Sequence, residues 1–168
     1  DEAVSALGIA RARCAASGAA EPGAPEPGVT EPAATSQRIA EILFRVQREL
    51  FIVGADLSVN PTHRDRLKPG ISLVESSMVT GLEQLIDKLT EEQPLKPVFL
   101  VPGSTPLEAA LDFARTVVRR AERHTLRAKE VGHTVSESVQ HYLNRLSDLV
   151  FVLARRAAVG TEEPVSHD

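Results

Sequence analysis

Apolar residues recur every three to four positions along five segments of this chain. This period restricts the possible folds more than any other feature of the sequence. Side chains spaced in this way line one face of an α-helix, whereas a half-buried strand needs apolar residues at every second position. Near the end of the chain the pattern predicts a helix that begins near Thr134 or Ser136. The residues of its apolar face are Val135, Val139, Tyr142, Leu143, Leu146, Val150, Leu153 and Ala157.

The same period predicts three helices in the first half of the chain. The first lies in segment 1–17, and the second runs from about Thr35 to Asp56. The third has apolar residues at helical spacing and ends before two prolines, which cannot continue a helix. Its apolar residues are Met78, Leu82, Leu85, Ile86 and Leu89, and the prolines are Pro94 and Pro97.

A fourth helix is predicted from its start signal. Thr105, Pro106 and Glu108 occupy the cap, the first helical position and the third helical position. There the hydroxyl and the carboxylate can accept from free N–H groups, and the proline loses no hydrogen bond. We expect this helix to continue to about Lys129. The segment 98–101 is too short for a convincing strand, so the sequence predicts an all-α fold, a five-helix bundle that forms a single domain over the whole chain.

Three segments are expected to lie outside the helices. The Pro- and Gly-rich stretch at about 18–34 predicts a flexible surface loop, because it supports neither a helix nor a strand ladder. The segment 56–72 has no sustained period and predicts a long loop. The tail at about 160–168 is predicted to be disordered.

Charge and composition exclude several classes of protein. The formal charge of −4 weighs against general binding to nucleic acid, which needs an excess of Lys and Arg to displace counterions. The single cysteine, Cys14, excludes an internal disulfide. No apolar run approaches the roughly 20 residues that span a bilayer, so we expect a cytoplasmic protein with no membrane partner. Because the chain begins at Asp1 without a methionine, we also expect a preceding segment, which leaves room for an organellar presequence.

The candidate chemistry is a polar stripe within the fourth predicted helix. The sequence has no Walker phosphate loop, Rossmann fingerprint, HExxH motif or nucleophile elbow. The stripe is formed by Arg115, Arg119, Glu122 and Arg123, and it is either a solvated face or an anion site. Arginine rather than lysine is used throughout residues 115–127, which favours bidentate contact with phosphate or carboxylate.

Polar residues of the last helix are spaced to meet this stripe. Asn144, Asp148 and Arg155 share one side of that helix and can face the arginines across the bundle. Before the fourth helix, a Pro-Gly turn leads to the helix N-terminus, a natural place for an anion or a ligand edge. Phe99 precedes that turn, and it is either part of a site or a plug in the core.

Five blocks of the sequence resemble, in order and spacing, the PduO-type cob(I)alamin adenosyltransferases. The blocks are DEAVSALGIA at 1–10, QRELFIVGADLS at 47–58, FLVPGS at 99–104, RRAERH at 119–124 and YLNRLSDLVFVLAR at 142–155. The resemblance implies a trimeric five-helix bundle with ATP and a corrinoid bound at subunit interfaces. It further implies that Co(I) attacks the 5′ carbon of ATP, so that triphosphate leaves and adenosylcobalamin forms.

The resemblance also assigns roles to residues of the ATP site. Arg119 and Asn144 match positions that contact ATP, and Glu122 and Arg123 fall in the same motif. Fixed arginines in a partly dry cleft stabilise the charge that gathers on a triphosphate leaving group. The implied cofactor set is ATP with Mg²⁺ and a reduced cobalamin or other corrinoid.

Three further residues carry roles outside the ATP site. Arg115 matches an arginine that pairs with an aspartate of a neighbouring subunit, which here is Asp1, and it is a candidate catalytic residue together with Phe99 and Arg119. Phe99 matches the aromatic residue that closes the lower corrin face and keeps the cobalt without its lower axial ligand. The implied partners are a second and third copy of the chain, a flavin-type reductase and a B12-dependent enzyme.

The sequence departs from the family at three places. A Thr-Gly-Asp-x-Gly stretch that wraps the phosphates does not occur in it, Ser104 replaces a usual glycine, and His124 replaces a usual arginine. The first departure keeps an alternative open, a non-catalytic corrinoid-binding or delivery protein on the same scaffold. A further alternative to the enzyme is a helical bundle with a purely structural role. A glycine-rich phosphate segment upstream of Asp1 would favour the enzyme.

Overall fold

The chain folds into packed α-helices. The computed structural model describes residues 1–17, 31–161 and 163–165. The helices are α1 Glu2–Ser17, α2 Glu31–Ser58, α3 Ser76–Glu92, α4 Pro106–Glu130 and α5 Glu137–Ala157, with a short 3₁₀ helix, Pro61–Arg66, after α2. Over these described ranges β-pairing is limited to two isolated bridges, Pro69 with Leu73 and Leu100 with Pro164. The all-helical prediction is confirmed.

The helix ends agree with the sequence pattern except at the start of α2. This helix begins at Glu31, four residues before the predicted start at about Thr35. Residues 31–34 of the predicted flexible loop therefore belong to α2, and residues 18–30 lie outside the described part of the chain. Pro32 is compatible with this early start, because the first turn of a helix does not use the missing N–H.

The cap of α4 is only half of the expected motif. The Thr105 hydroxyl accepts from the backbone N–H of Glu108 at 3.1 Å, as predicted. The Glu108 carboxylate, however, accepts from the N–H groups of Gly103 and Ser104 rather than from that of Thr105. It therefore ties the preceding loop to the helix instead of closing a capping box. At α5, the Ser136 hydroxyl accepts from Val139 N–H at 3.2 Å, which selects the later of the two predicted starts.

Helix α5 lies at the centre of the packing and contacts α2, α3 and α4, while α1 packs against α2 and α4. Its predicted apolar face is buried, apart from Ala157, which is only partly buried. Tyr142 is fully buried, and its hydroxyl donates to Glu49 of α2 at 2.7 Å. A buried tyrosine with a satisfied hydroxyl adds apolar area without leaving a polar group unpaired.

One buried carboxylate organises the segment that was predicted to be a long loop. Asp56 is 1% exposed and accepts from Arg64 at 2.6 Å and from the N–H of Val74 at 3.0 Å. These contacts connect the end of α2 to the 3₁₀ helix and to the chain just before α3. The loop is thus held at both ends by a single charged group, which compensates the cost of burying that group.

The segment before α4 pairs with the chain after α5. Val101 N–H donates to the carbonyl of Glu163 at 2.8 Å, and Val165 N–H donates to the carbonyl of Phe99 at 2.9 Å. Residues 163–165 of the tail that was predicted to be disordered are hydrogen-bonded in this way, and residues 162 and 166–168 lie outside the described residues. No helix in the described ranges is both long and apolar enough to cross a membrane.

Candidate functional site

The loop before α4, two positions on α4 and the end of α5 enclose a cavity of about 610 Å³. Its wall is more apolar than polar and includes Phe99 from the loop, Arg115 from α4 and Phe151 from α5. Phe99 is 88% exposed, so the alternative that it plugs the core is wrong. A ring that projects into an open cavity is available to cover one face of a flat apolar ligand.

Two arginines enclose Phe151 in the cavity wall. The guanidinium of Arg115 lies 5.1 Å from the ring centroid, and that of Arg155 lies 5.3 Å from it. Guanidinium groups stack on aromatic faces because the ring carries negative charge above its plane. Arg115, one of the predicted site residues, therefore rests against Phe151 in the cavity wall.

Arg155 is the centre of a buried charge cluster. It donates to Glu108 at 2.8 Å and also to Asp112, and the side chains of Glu108 and Asp112 are 1% and 12% exposed. Asp148 is not part of this cluster, because it pairs with Arg145 at 3.0 Å. The expected polar face of α5 is thus divided: Arg155 binds carboxylates of α4, and Asp148 pairs within α5.

The two carboxyl groups of the cluster differ in pKa. Burial raises the pKa of Asp112 to about 6, the hydrogen bond with Glu108 adds to this, and Arg155 opposes it. For Glu108, burial alone would raise the pKa. It is outweighed by hydrogen bonds from Asp112 and the Gly103 N–H and by the charge of Arg155, so the pKa of Glu108 lies below its ordinary value. One guanidinium faces two carboxyl groups, and of the two Asp112 has the higher pKa and is protonated first as the pH falls.

A row of free guanidinium groups lies next to the cavity along α4. Arg119 and Arg123 are exposed, and neither makes a hydrogen bond or ion pair with the described residues. Arg119 is one helical turn from Arg115, about 6 Å along the helix axis. The row therefore offers donors to an anion at one edge of the cavity.

Glu122 and Asn144 meet beside this row, as their spacing suggested. Asn144 Nδ2 donates to Glu122 Oε1 at 2.8 Å, and Arg145 donates to Asn144 Oδ1 at 2.6 Å. Asn144 also accepts at its backbone carbonyl from Ser147 at 2.8 Å. The four predicted ATP-site residues Arg119, Glu122, Arg123 and Asn144 therefore lie along one side of the α4–α5 contact.

Asp1 is the one predicted site residue that the fold does not bring to the others within a single chain. It is exposed, and its carbonyl accepts from Ser5 N–H at 3.1 Å at the start of α1. Arg115 stacks on Phe151 and forms no ion pair with Asp1 in the described part of the chain. Nearby, Glu2 pairs with Arg120 at 2.9 Å, which joins α1 to α4.

Sequence reasoning missed two residues of the cavity, Phe151 and Asp112. Phe151 stands four residues before Arg155, and this spacing places a ring and a guanidinium on one helix face. In the same way Asp112 stands four residues after Glu108. The sequence shows the spacing within each of these two pairs. It does not show which residues of the neighbouring helix they contact.

Known proteins with similar sequences belong to one family. The family model described as cobalamin adenosyltransferase matches residues 1–157. A corrinoid adenosyltransferase of Mycobacterium leprae is 39% identical over 129 residues, which cover 75% of this chain and 67% of that protein. A corrinoid adenosyltransferase of Mycobacterium tuberculosis is 41% identical over 126 residues, which cover 71% of this chain and 62% of that protein. The chain thus spans about two thirds of the length of these relatives.

Solved structures with the same fold come from Lactobacillus reuteri. One is a variant PduO-type ATP:corrinoid adenosyltransferase complexed with cobalamin and ATP, which is 25% identical, covers 96% of this chain and 80% of that one, and superposes with a TM-score of 0.65. A second variant, complexed with the same two ligands, is 24% identical, covers 99% and 84% of the two chains, and has a TM-score of 0.66. Sequence and fold agree, and the chain belongs to the cobalamin adenosyltransferase family.

Proposed function

We propose that this protein is an ATP:corrinoid adenosyltransferase that moves the 5′-deoxyadenosyl group of ATP onto the cobalt of cobalamin. The observation that carries the proposal is the position of the free Arg119 and Arg123 about one and two turns along α4 from Arg115, in the wall of a cavity that an exposed Phe99 also lines. A polyanion and a flat apolar ligand can thus be bound side by side. The named activity of the relatives and the ligands of the solved neighbours support the proposal.

On the ATP side, Arg119 and Arg123 bind the triphosphate. The bond between the 5′ carbon and its oxygen breaks during transfer, and the leaving triphosphate takes the electron pair. Arginines fixed next to that oxygen stabilise its growing charge more than water does, because they need no reorganisation. Glu122 and Asn144, held to each other at 2.8 Å, form the neighbouring wall of the nucleotide site.

Mg²⁺ would enter this site with the nucleotide. Over residues 1–17, 31–161 and 163–165, no group of three or more His, Cys, Asp or Glu side chains is arranged to hold a metal ion. Mg²⁺ usually keeps several waters and binds through substrate phosphates, so it fits a complex in which ATP supplies most of its ligands. When bound there, it would offset part of the triphosphate charge, and Arg119 and Arg123 would offset the rest.

On the corrin side, Phe99 covers the lower face of the macrocycle. An apolar ring there excludes water or a base from the lower axial position of cobalt, which makes the Co(I) state easier to reach. Co(I) then supplies the electron pair of the new cobalt–carbon bond and becomes Co(III). The phosphate and corrin sites are adjacent, so the reacting atoms are held close to one another.

Three copies of the chain assemble around these sites as a trimer of five-helix bundles. Asp1 of one copy pairs with Arg115 of the next, which orders the interface next to the cavity. Arg115 forms no ion pair with the described residues of its own chain, and on another side of α4 the ring of Phe113 is 56% exposed. Arginine and aromatic side chains are the residue types that interface cores favour.

A flavin-type reductase supplies the electrons that form Co(I), and a B12-dependent enzyme receives the product. The cytoplasmic location expected from the sequence stays a prediction. The family resemblance implies both partners, and they suit the chemistry, because a Co(I) nucleophile has to be generated by reduction and the adenosylated product has no further role in this site.

An anaerobic assay of the full-length protein with ATP and Co(I) corrinoid tests the proposal. We expect a cobalt–carbon product and triphosphate in a 1:1 ratio. Corrinoid binding without any product would favour the non-catalytic delivery protein instead. A protein that binds neither ATP nor corrinoid would leave only the plain structural bundle.

A further inference from the structure

The loop that carries Phe99 depends on a carboxylate of α4 for its shape. Both Gly103 and Ser104 donate their backbone N–H groups to Oε2 of Glu108, at 2.6 and 3.1 Å. Gly103 has a φ of +120°, a backbone conformation that residues other than glycine rarely adopt. Two adjacent N–H groups can point at one oxygen because the backbone turns in this unusual way.

The other oxygen of the same carboxylate reaches a different helix. Glu108 Oε1 accepts from Arg155 of α5 at 2.8 Å, and Arg155 is held in turn by Asp112 and by the ring of Phe151. The Glu108 side chain is 1% exposed. A buried carboxylate is tolerated only when its oxygens are satisfied, and here both are satisfied by groups from different segments. Glu108 therefore joins the loop to α5 through α4.

The Phe99 ring itself has little packing that could hold it in place. It is 88% exposed, so its position follows from its backbone. The backbone is fixed on one side by the hydrogen bonds with residues 163–165 and on the other by Glu108. Weaker side-chain contacts add to this: Thr161 donates to Ser104 at 3.3 Å, and Thr105 donates to the carbonyl of Ala157 at 3.4 Å. Glu108 is the only charged group among these contacts of the described loop.

We propose that Glu108 is a positioning residue for the corrin side of the site, which sets the placement of Phe99 over the cavity by clamping Gly103 and Ser104 to Arg155. The role rests on the proposed adenosyl transfer. Glu108 acts through Phe99 and touches neither substrate. Its removal therefore weakens the interaction with the corrinoid and leaves the interaction with ATP unchanged, because Arg119 and Arg123 lie further along α4.

Glu108→Gln is the informative variant. Glutamine keeps the shape of the side chain but presents an oxygen to only one side, so either the loop N–H groups or Arg155 loses its acceptor. Arg155 keeps Asp112, and we expect the variant to fold. Glu130→Gln is the matched control, because Glu130 is an exposed residue of the same helix with no hydrogen bond or ion pair in the described chain.

The first measurement needs no substrate. Hydrogen exchange at the amides of Gly103 and Ser104 should be faster by about tenfold in Glu108→Gln than in wild type or Glu130→Gln, since a charge-assisted hydrogen bond is lost. The second measurement is kinetic. The corrinoid KM should rise by about five- to tenfold while the ATP KM changes less than about twofold. Spectra of bound Co(II) corrinoid should show a smaller four-coordinate fraction.

A double variant shows whether Glu108 acts through Phe99. If it does, Glu108→Gln should not reduce the four-coordinate fraction any further in a Phe99→Ala background, because effects that share one pathway do not add. Additive losses, or corrinoid KM and ATP KM rising together, would refute the positioning role. An active wild type with unchanged corrinoid kinetics in Glu108→Gln would refute it and leave the proposed function intact. A wild type that forms no cobalt–carbon bond would refute both.

Discussion

Asn144 of α5 donates a hydrogen bond from Nδ2 to Oε1 of Glu122 on α4, at 2.8 Å. The side chain of Arg145 donates a second hydrogen bond, to Oδ1 of Asn144. The amide is therefore oriented, with its nitrogen towards α4 and its oxygen towards Arg145. This pair joins two helices directly beside the free Arg119 and Arg123.

A double-mutant cycle tests this pair. Glu122→Ala and Asn144→Ala should each lower the free energy of unfolding, and their effects should be coupled by about 0.5–1.5 kcal/mol, the usual net value of one hydrogen bond. Urea unfolding of the two single variants and the double variant gives the coupling energy. Strictly additive effects would mean that the contact contributes nothing to stability.

Arg119 is predicted to act on catalysis and hardly on folding. Arg119→Ala should lower kcat/KM by roughly 100-fold, or about 3 kcal/mol, because it removes a charged donor where charge develops. Its unfolding free energy should change little, since the residue is exposed and alanine is a good helix former. Arg127→Ala, on the same helix and also exposed, is the control and should be near neutral in both measurements. Equal small kinetic effects of the two variants would make the arginine row a solvated face.

Phe99 is predicted to act on cobalt ligation rather than on nucleotide binding. Phe99→Ala should leave ATP affinity nearly unchanged and slow adenosylation. Because the side chain is 88% exposed, stability should change by less than about 1 kcal/mol. Spectra of bound Co(II) corrinoid should show less of the four-coordinate form than in wild type. The same amount in both proteins would remove Phe99 from the mechanism.

Asp112 is predicted to make stability depend on pH. Its folded-state pKa is raised to about 6 by burial and by Glu108, whereas the unfolded value is near 4. Between these two pKa values the folded state binds more protons at residue 112 than the unfolded state does. The free energy of unfolding therefore increases as the pH falls through about 6, and this contribution of Asp112 is lost as the pH rises above 6. Wild type should therefore gain stability relative to Asp112→Asn when the pH is lowered from 7.5 to 5.

Urea unfolding of both proteins at the two pH values measures this difference. The other titratable groups are common to both proteins, so the comparison isolates the contribution of Asp112. Glu108 does not enter, because its pKa is lowered and its contribution is lost only at more acidic pH. An identical pH dependence in the two proteins would show that Asp112 titrates as an ordinary carboxyl group.

A homotrimer is predicted from the Asp1–Arg115 pair. Light scattering at micromolar concentration should give three times the mass of the chain, and Arg115→Ala should shift the equilibrium towards smaller species. Arg127→Ala again serves as a matched exposed control on α4. Wild type that stays monomeric across the micromolar range would contradict the trimer, whereas a trimeric Arg115→Ala variant would contradict only the pair.

Local signals predicted most of the helices. The Thr105 cap, the Ser136 cap and the prolines after α3 act through contacts with residues close in sequence, and all of them mark real helix ends. The start of α2 was placed too late because a proline-rich stretch was read as a loop, although a proline in the first turn is compatible with a helix. Phe99 was a candidate for either a site or the core, and its burial could not be predicted from its type, because exposed aromatic residues occur where ligands or partners bind.

The sequence by itself determined the all-helical class, the family and the residues of the arginine row, since helical period and motif spacing are properties of neighbouring positions. Only the tertiary structure decided which charged groups meet. Arg155 is separated from Asp112 by 43 residues and from Glu108 by 47, and Asn144 is separated from Glu122 by 22. The packing of α4 against α5 determines which residues at such sequence separations come into contact. A buried charge pairs with an oppositely charged group that this packing places next to it.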